Sequence, residues 1–211
     1  MTSTLPARTP GAGTVAPVAL VSEAALRRNA ARATGGHDDV LAADGWGHGA
    51  EWVASVLDDL GMDATTLDAT ILYGLPGSGA TPVLSLRGRA LGTKPLLRGE
   101  GVSYGYTHRA HADTTVALVT GGYAQGVVRS LGDAATVAIE GRRHPIVGRV
   151  AMDVCVVDVG ATPIPRGAEV VFFGDPAAGH PSLDEWTDAT GWSAAEIVAA
   201  VGARADRRVS A

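Results

Sequence analysis

The stretch from Gly99 to Asp153 constrains this chain more than any other part of it. Three glycine-bearing turns, GEGVSYG (99–105), GGYAQG (121–126) and VGRVAMD (147–153), are each coupled to an extended apolar run. Between them Val116, Leu118 and Thr120 alternate with Ala117 and Val119, and Val137 and Ile139 lead through Glu140-Gly141-Arg142 to a return run at Ile146-Val147. Alternation at a period of two gives a strand one buried face, and glycine turns between such strands read as hairpins. The spacing predicts an antiparallel β barrel or sandwich over residues 78–211.

Composition narrows the function classes. Hydrophobic residues make up 46% of the 211 and charged residues 18%, which excludes wholesale disorder. A net charge of -5 argues against a nucleic-acid-binding surface, which is normally basic. Cys155 is the one cysteine, so no intrachain disulfide forms, which fits a reducing cytosol. It sits in the apolar run 154–159 and reads as a buried, inert thiol. The first fifteen residues lack the apolar core of a signal peptide and read as a disordered tail. No run approaches the ~20 apolar residues of a membrane span, and a cytoplasmic location is expected. The six histidines show no metal-ligand spacing, and neither a G-x-S-x-G elbow nor a P-loop is present.

Taken in order, Val18–Val21 reads as a short strand, and Ser22 offers an N-cap hydroxyl to a helix that runs to about Arg32 and ends at Gly35-Gly36. Val40–Ala43 reads as a second strand, followed by the turn Gly45–Gly49. A helix with Trp52, Val53, Val56, Leu57 and Leu60 on one face comes next, stopped by Gly61, and the three pieces form one βα unit. Residues 76–81 read as a polar hinge. A (β/α)8 barrel takes about 250 residues, so residues 16–75 cannot close one. Their unpartnered strand edges are expected to rest on the β domain or on another molecule. Further on, Leu84 and Leu86 alternate with Ser85 and Arg87, Lys94 stands before Pro95 in an extended connection, and Glu169–Phe173 forms a strand. Ser182/Glu185 and Ser193/Glu196 have capping-box spacing at the starts of two short helices, with Gly191 and Gly202 as stops.

The three turn segments resemble the C-terminal β domain of alanine racemases, where Y-G, G-Y-A-D-G and G-R-x-x-M-D follow in this order at about these spacings. Earlier residues extend the resemblance. Ala25-Leu26-Arg27-Arg28-Asn29 is similar to the family's A-L-R-x-N, and Gly47-His48-Gly49 to the end of its K-A-x-A-Y-G-H-G. That alignment puts Trp46 at the tyrosine and Ala42 at the lysine that carries pyridoxal phosphate (PLP). Tyr73-Gly74-Leu75 resembles the end of the last barrel strand, V-R-x-G-I-x-x-Y-G-L, which implies a strand at Thr66–Leu75, with Leu67 at the arginine that faces the cofactor ring nitrogen and Ala69 and Thr70 at the phosphate-side glycine and isoleucine. Ala195 falls where the family has a tyrosine near the phosphate. The resemblance implies an α+β, mainly β chain. Its parts are a tail at 1–15, a severely truncated (β/α) barrel remnant at 16–75 and a C-terminal β domain at 78–211.

In the family, PLP serves as electron sink for interconversion of L-alanine and D-alanine, which supplies peptidoglycan precursors. A lysine works on one face of the substrate and a tyrosine from the other subunit of a dimer on the opposite face. By that resemblance Tyr104 is the catalytic tyrosine. A phenol acts as a base only beside cations that favour its ionised form. Tyr123 stands at the substrate entrance, with Gln125 where the family usually has Asp. Met152 lies beside the substrate carboxylate through its backbone, on a turn that Asp153 supports, and Arg129 and Arg149 supply positive charge. Read without the family, Tyr104 is a packing or surface residue, Met152 gap-filling core and the arginines solvated. Lys94, the chain's one lysine, does not match the cofactor position, no residue is assigned to bind PLP, and no metal is expected. An alanine forms no imine, so the expected function is an alanine-racemase relative that is catalytically silent alone, a pseudoenzyme. Two alternatives remain. One is an interaction module forming a homodimer, or a heterodimer with an intact racemase. The other is retained racemase activity on alanine with Lys94 or another amine substituting.

Overall fold

A computed structural model describes residues 16–210; the expected tail at 1–15 lies outside them. Strand β1 (Val18–Ser22) leads directly into helix α1 (Glu23–Ala30). Ser22 has an extended backbone and its hydroxyl accepts from the Ala25 N–H at 3.2 Å, so the expected cap is in place. The helix closes at Ala31, short of the two glycines. Buried Asn29 ties it to the hinge. Its Nδ2 donates to the carbonyls of Leu72 and Thr81 at 3.1 and 2.7 Å, and its Oδ1 accepts from the Thr81 N–H at 3.2 Å.

The expected strand at Val40–Ala43 is not formed. Ala42–Trp46 is a hydrogen-bonded turn of left-handed residues: Ala43, Asp44, Gly45 and Trp46 have φ of 48, 57, 63 and 52°. Each non-glycine in that region costs about 1–2 kcal/mol, so partners elsewhere must over-determine the turn. Asp44 is one of them, accepting from the Ala50 N–H at 2.9 Å and pairing with Arg207 at 2.7 Å. Helix α2 (Ala50–Asp59) follows and buries Val53, Val56 and Leu57, whereas Leu60 lies past its end and is exposed. The expected strand at Thr66–Leu75 is also replaced. Asp68 caps a single helical turn, α3 (Ala69–Leu72), accepting from the Ile71 N–H at 3.0 Å, and the local cap overrides the β-branched residues around it. Residues 40–44 therefore do not pair with 70–73 as strands. What joins them is the Tyr73 hydroxyl, which donates to the Val40 carbonyl.

Strand β2 (Leu84–Leu96) runs thirteen residues and organises the rest. The other strands are β3 (Gly101–Val102), β4 (His108–Arg109), β5 (Thr114–Thr120), β6 (Thr136–Ile139), β7 (Arg142–Pro145), β8 (Val154–Asp158), β9 (Glu169–Phe173) and β10 (Asp206–Ser210). The first half of β2 pairs antiparallel with β1 on one edge and β9 on the other. Past a bulge at Ala90/Gly92 its second half pairs with β5. Pairing continues from β9 to β6 to β7 and from β5 to β8, and an Ile146–Val157 bridge joins the two ends. The result is a closed antiparallel barrel, with β1 and the parallel β10 added beside β2. Glu140 and Gly141, at φ 49 and 75°, supply the left-handed pair that a two-residue hairpin favours. Lys94, expected in a connection, lies within β2 opposite Val116.

Two helices, α4 (Asp184–Thr190) and α5 (Ala194–Arg204), precede the last strand, β10. The capping box forms at Ser193/Glu196 but not at Ser182/Glu185. Glu185 instead accepts from the N–H and hydroxyl of Thr136 and pairs with Arg143, tying α4 to the β6–β7 hairpin. Trp186 is fully buried against Phe173, edge to face at 5.0 Å. Gly202, expected as a stop, sits inside α5 because a Cβ there would overlap the Gly47 carbonyl. One hydrophobic core runs through both halves, joining Leu26, Leu57 and Leu72 to Val119, Ile139 and Phe172. A smaller one holds Leu96, Val102, Ala110, Val116 and Val147. No helix among the described residues is long and apolar enough to cross a membrane.

The left-handed turn carries the buried His48. Its Nδ1 faces the carbonyls of Gly45 and Trp46 at 3.0 and 3.1 Å, and its ring stacks on Tyr73 at 4.1 Å. Burial drives its pKa from the usual 6.5 down to about 4, against the two carbonyls that favour the proton. Between those values only the unfolded chain takes up a proton at this ring. Stability should therefore fall by up to roughly 3 kcal/mol as the pH drops from 6.5 to 4. His144 and His180, also lowered first by burial, act in the same sense. Urea midpoints across that range should flatten in His48→Gln, and an unchanged slope refutes the assignment. Gly202→Ala should cost about 1–3 kcal/mol by pushing α5 off the Gly47 turn; a variant with the parent's denaturation midpoint excludes that contact.

Candidate functional site

Three turns gather at one end of the barrel and carry the residues singled out in the sequence. The first follows β3. Ser103, Gly105 and Tyr106 have φ of 59, 78 and 46°, so the loop that presents Tyr104 is wound through conformations that serine and tyrosine rarely adopt. Val102, buried in the smaller core, fixes one end of the loop. The Ser103 hydroxyl donates to the Arg149 carbonyl at 2.5 Å. Asp133 holds the far end, its Oδ1 meeting both the Gly148 N–H and His108 Nδ1 at 2.9 Å. Tyr104 itself projects outward, 71% exposed, with Tyr106 close behind at 62%.

The second and third turns are laced together by backbone. The N–H groups of Gly121, Tyr123 and Ala124 donate to the carbonyls of Asp153, Ala151 and Met152 at 2.9, 3.0 and 2.9 Å. At Gly122 any side chain would overlap the Met152 carbonyl, so glycine is required there. Gln125 completes the lock, accepting from the Gly122 N–H at 3.0 Å and donating from Nε2 to Asp153 at 2.9 Å. A carboxylate at position 125 would face Asp153 with like charge, whereas the amide bridges it. The Arg129 guanidinium lies 4.4 Å over the Tyr123 ring, a cation–π contact, and shares a shallow depression with Thr107, Asp133 and Arg149. Met152 is 54% exposed, a surface side chain and not the gap-filling core residue expected when it is read without the family. The structure thus brings Tyr123 and Met152 together through the backbone of Ala124 and Ala151, and Tyr104 to them through Ser103 and Arg149. Asp133, the hub of this network, carries no signal in the sequence.

The positions aligned with a PLP site lie elsewhere. Ala42 opens the left-handed turn with its methyl exposed, and Leu67 is fully buried as core. Lys94 stands on an exposed stretch of β2 beside a groove lined by Leu91, Gly92, Thr93, Val116, Leu118 and Val156. That groove has no second cation or cluster of N–H donors to take a phosphate, so a Schiff base there would leave the group's charged end unmatched. These residues do not fit PLP. Among the described residues, no group of three or more His, Cys, Asp or Glu side chains is placed to hold a metal ion. Cys155 is buried in β8 and its thiol is pushed up to about 12 by burial, as expected of an inert residue.

Comparison with known proteins gives a consistent result. Residues 83–209 match the family described as alanine racemase, C-terminal domain. The alanine racemase of Mycobacterium leprae is 41% identical over 131 residues, 61% of this chain and 34% of that protein. That of Frankia casuarinae is 42% identical over 130 residues, 62% of this chain and 34% of that protein. Among solved structures, the alanine racemase from Streptomyces coelicolor A3(2) superposes with a TM-score of 0.63 at 27% identity, covering 79% of this chain and 50% of that one. The Bartonella henselae alanine racemase, solved with covalently bound pyridoxal phosphate, gives 0.60 at 27% identity over 66% of this chain and 40% of that one. The chain spans about a third of the length of these curated relatives and half or less of these solved ones. By its sequence over the barrel and by its fold, the chain belongs to the alanine racemase C-terminal domain family.

Proposed function

We propose that this chain is a racemase-type β domain that does not interconvert L- and D-alanine by itself. One observation carries the reading. The sole lysine is an exposed side chain on β2 beside an apolar groove, and the position aligned with the cofactor lysine is Ala42 on a left-handed turn. Racemisation asks for an amine held within about an ångström of its partner atoms and for a group that takes up the Cα electron pair. Neither Lys94 nor any residue around it supplies that arrangement. Incubated with PLP and L-alanine in deuterated water, the chain should give no Cα deuterium and no D-alanine above a protein-free control. Exchange above the control, or a borohydride-fixed adduct on Lys94, overturns this reading.

A second reading rests on the exposure of Tyr104, Tyr106 and Met152 above the Arg149 loop. In this view the turn cluster is a docking face that offers Tyr104 to the barrel of an intact racemase subunit, or to a second copy of this chain, much as a shared active site is completed across a dimer. Aromatic residues exposed on a rigid loop make suitable anchors for such contact. The chain should co-elute with a full-length alanine racemase, and Tyr104→Ala should weaken the complex at least tenfold, about 1.4 kcal/mol. A chain that elutes as a monomer at micromolar concentration, with and without the racemase, removes this reading and leaves the first untouched.

A further inference from the structure

A cavity of about 230 Å³ lies between the N-terminal segment and the barrel, away from the turn cluster. Its walls come from the stacked rings of His48 and Tyr73, the hinge loop from Gly74 to Pro82, the end of β9 at Phe173, and Leu183 before α4. Three features of this space are unexplained by the family's chemistry.

First, the two carbonyls facing His48 Nδ1 are both acceptors, so that nitrogen carries the ring proton. Nε2 is then a bare acceptor. It has no partner although the residue is 1% exposed, and it is the only buried side-chain nitrogen or oxygen of the cavity wall left so among the described residues. Leaving a buried acceptor unmade costs about 1–3 kcal/mol. Burial also keeps the ring neutral at ordinary pH. Second, the ring is held there by the left-handed turn Ala43–Trp46, whose own backbone is costly. Third, the wall is one-sided in charge. Asp175 and Asp184 line it and no lysine or arginine does, the arginines that bear on it being Arg207, whose charge reaches His48, and Arg32, which donates to the Gly79 carbonyl. Asp175 Oδ1 accepts from the Ala177 N–H and Asp184 Oδ2 from the Ser182 hydroxyl, which leaves the second oxygen of each carboxylate outside these bonds.

We infer that this cavity is a binding site for a small organic amine. An ammonium or amine N–H would donate to His48 Nε2, its charge would be balanced by Asp175 and Asp184, and its apolar body would lie among Leu75, Pro76 and Phe173. The volume fits a molecule of a few carbons up to a single ring, below the ~300 Å³ at which drug-sized sites begin. No lysine or arginine lines the wall to receive an amino-acid carboxylate or a phosphate, which argues against alanine and PLP as the ligand. The inference stands independently of the proposed function.

Titration calorimetry of the intact chain with isobutylamine, cyclohexylamine and benzylamine tests it, with propionate and inorganic phosphate as controls. At least one amine should bind with a dissociation constant below 10 mM, both anions should give no heat, and the His48 ring proton signals should shift in NMR. His48→Phe, which keeps the stack on Tyr73 and removes the acceptor, should weaken binding at least tenfold. Asp175→Asn with Asp184→Asn should do the same and carries the test should His48→Phe fail to fold. Absence of binding by all three amines, binding of propionate as tight as that of the amines, or an affinity unchanged in both variants overturns the assignment.

Discussion

Everything else in the molecule is arranged about the bulged strand β2. Its thirteen residues serve two neighbourhoods in turn. Before the bulge at Ala90/Gly92 the strand lies between β1 and β9, and after it the same chain turns its edge to β5. A bulge raises local twist and redirects the strand, which is how a single element can be shared by a flat extension and a closing barrel. The N-terminal segment is attached through the same strand, since β1 pairs with residues 84–87 and the core passes beneath without interruption. An insertion that unbent β2 would separate these parts at once.

The turn cluster inherits its position from that arrangement. The smaller core is built from the far half of β2, from β5 and from Val147, and Val102 at the root of the Tyr104 loop belongs to it. Around it the connections are made by backbone and by one carboxylate each: Asp133 clamps the first loop, Asp153 the second. Such a network orders irregular chain with few apolar contacts, at the cost of requiring every polar member. Tyr104, Tyr106 and Met152 thus stand exposed on a rigid base, and their exposure is a property of the base more than of the residues.

The barrel strands at 116–120, 137–139 and 169–173 were legible as extended apolar runs, but the single buried face read from alternation did not hold: β6 and β9 bury consecutive residues on both faces, and within 116–120 only Leu118 stands exposed. The N-terminal segment misled for a physical reason. Val40–Ala43 and Thr66–Leu75 have apolar, β-branched composition, but Asp44, Asp68 and the glycines near them fix the backbone locally, through caps and left-handed residues that periodicity does not report. Gly202 misled in the opposite way. It looks like a helix stop, and its actual constraint comes from Gly47, more than 150 residues earlier. Within the turn cluster, the motif residues announced themselves and Asp133 did not, because its role depends on two partners brought in from distant strands. His48 was visible as part of a glycine turn, but its stack on Tyr73 required two segments that only the fold brings together.

The lone cysteine has a practical meaning. Cys155 lies mid-strand in β8, paired with Val119 of β5, 1% exposed and with a thiol that scarcely ionises. Thiolate is the reactive species, so an alkylating reagent meets this sulfur only during moments when the two strands part. The rate at which the chain takes up a maleimide or a disulfide probe would therefore report how often the barrel wall opens, with no engineered reporter residue added.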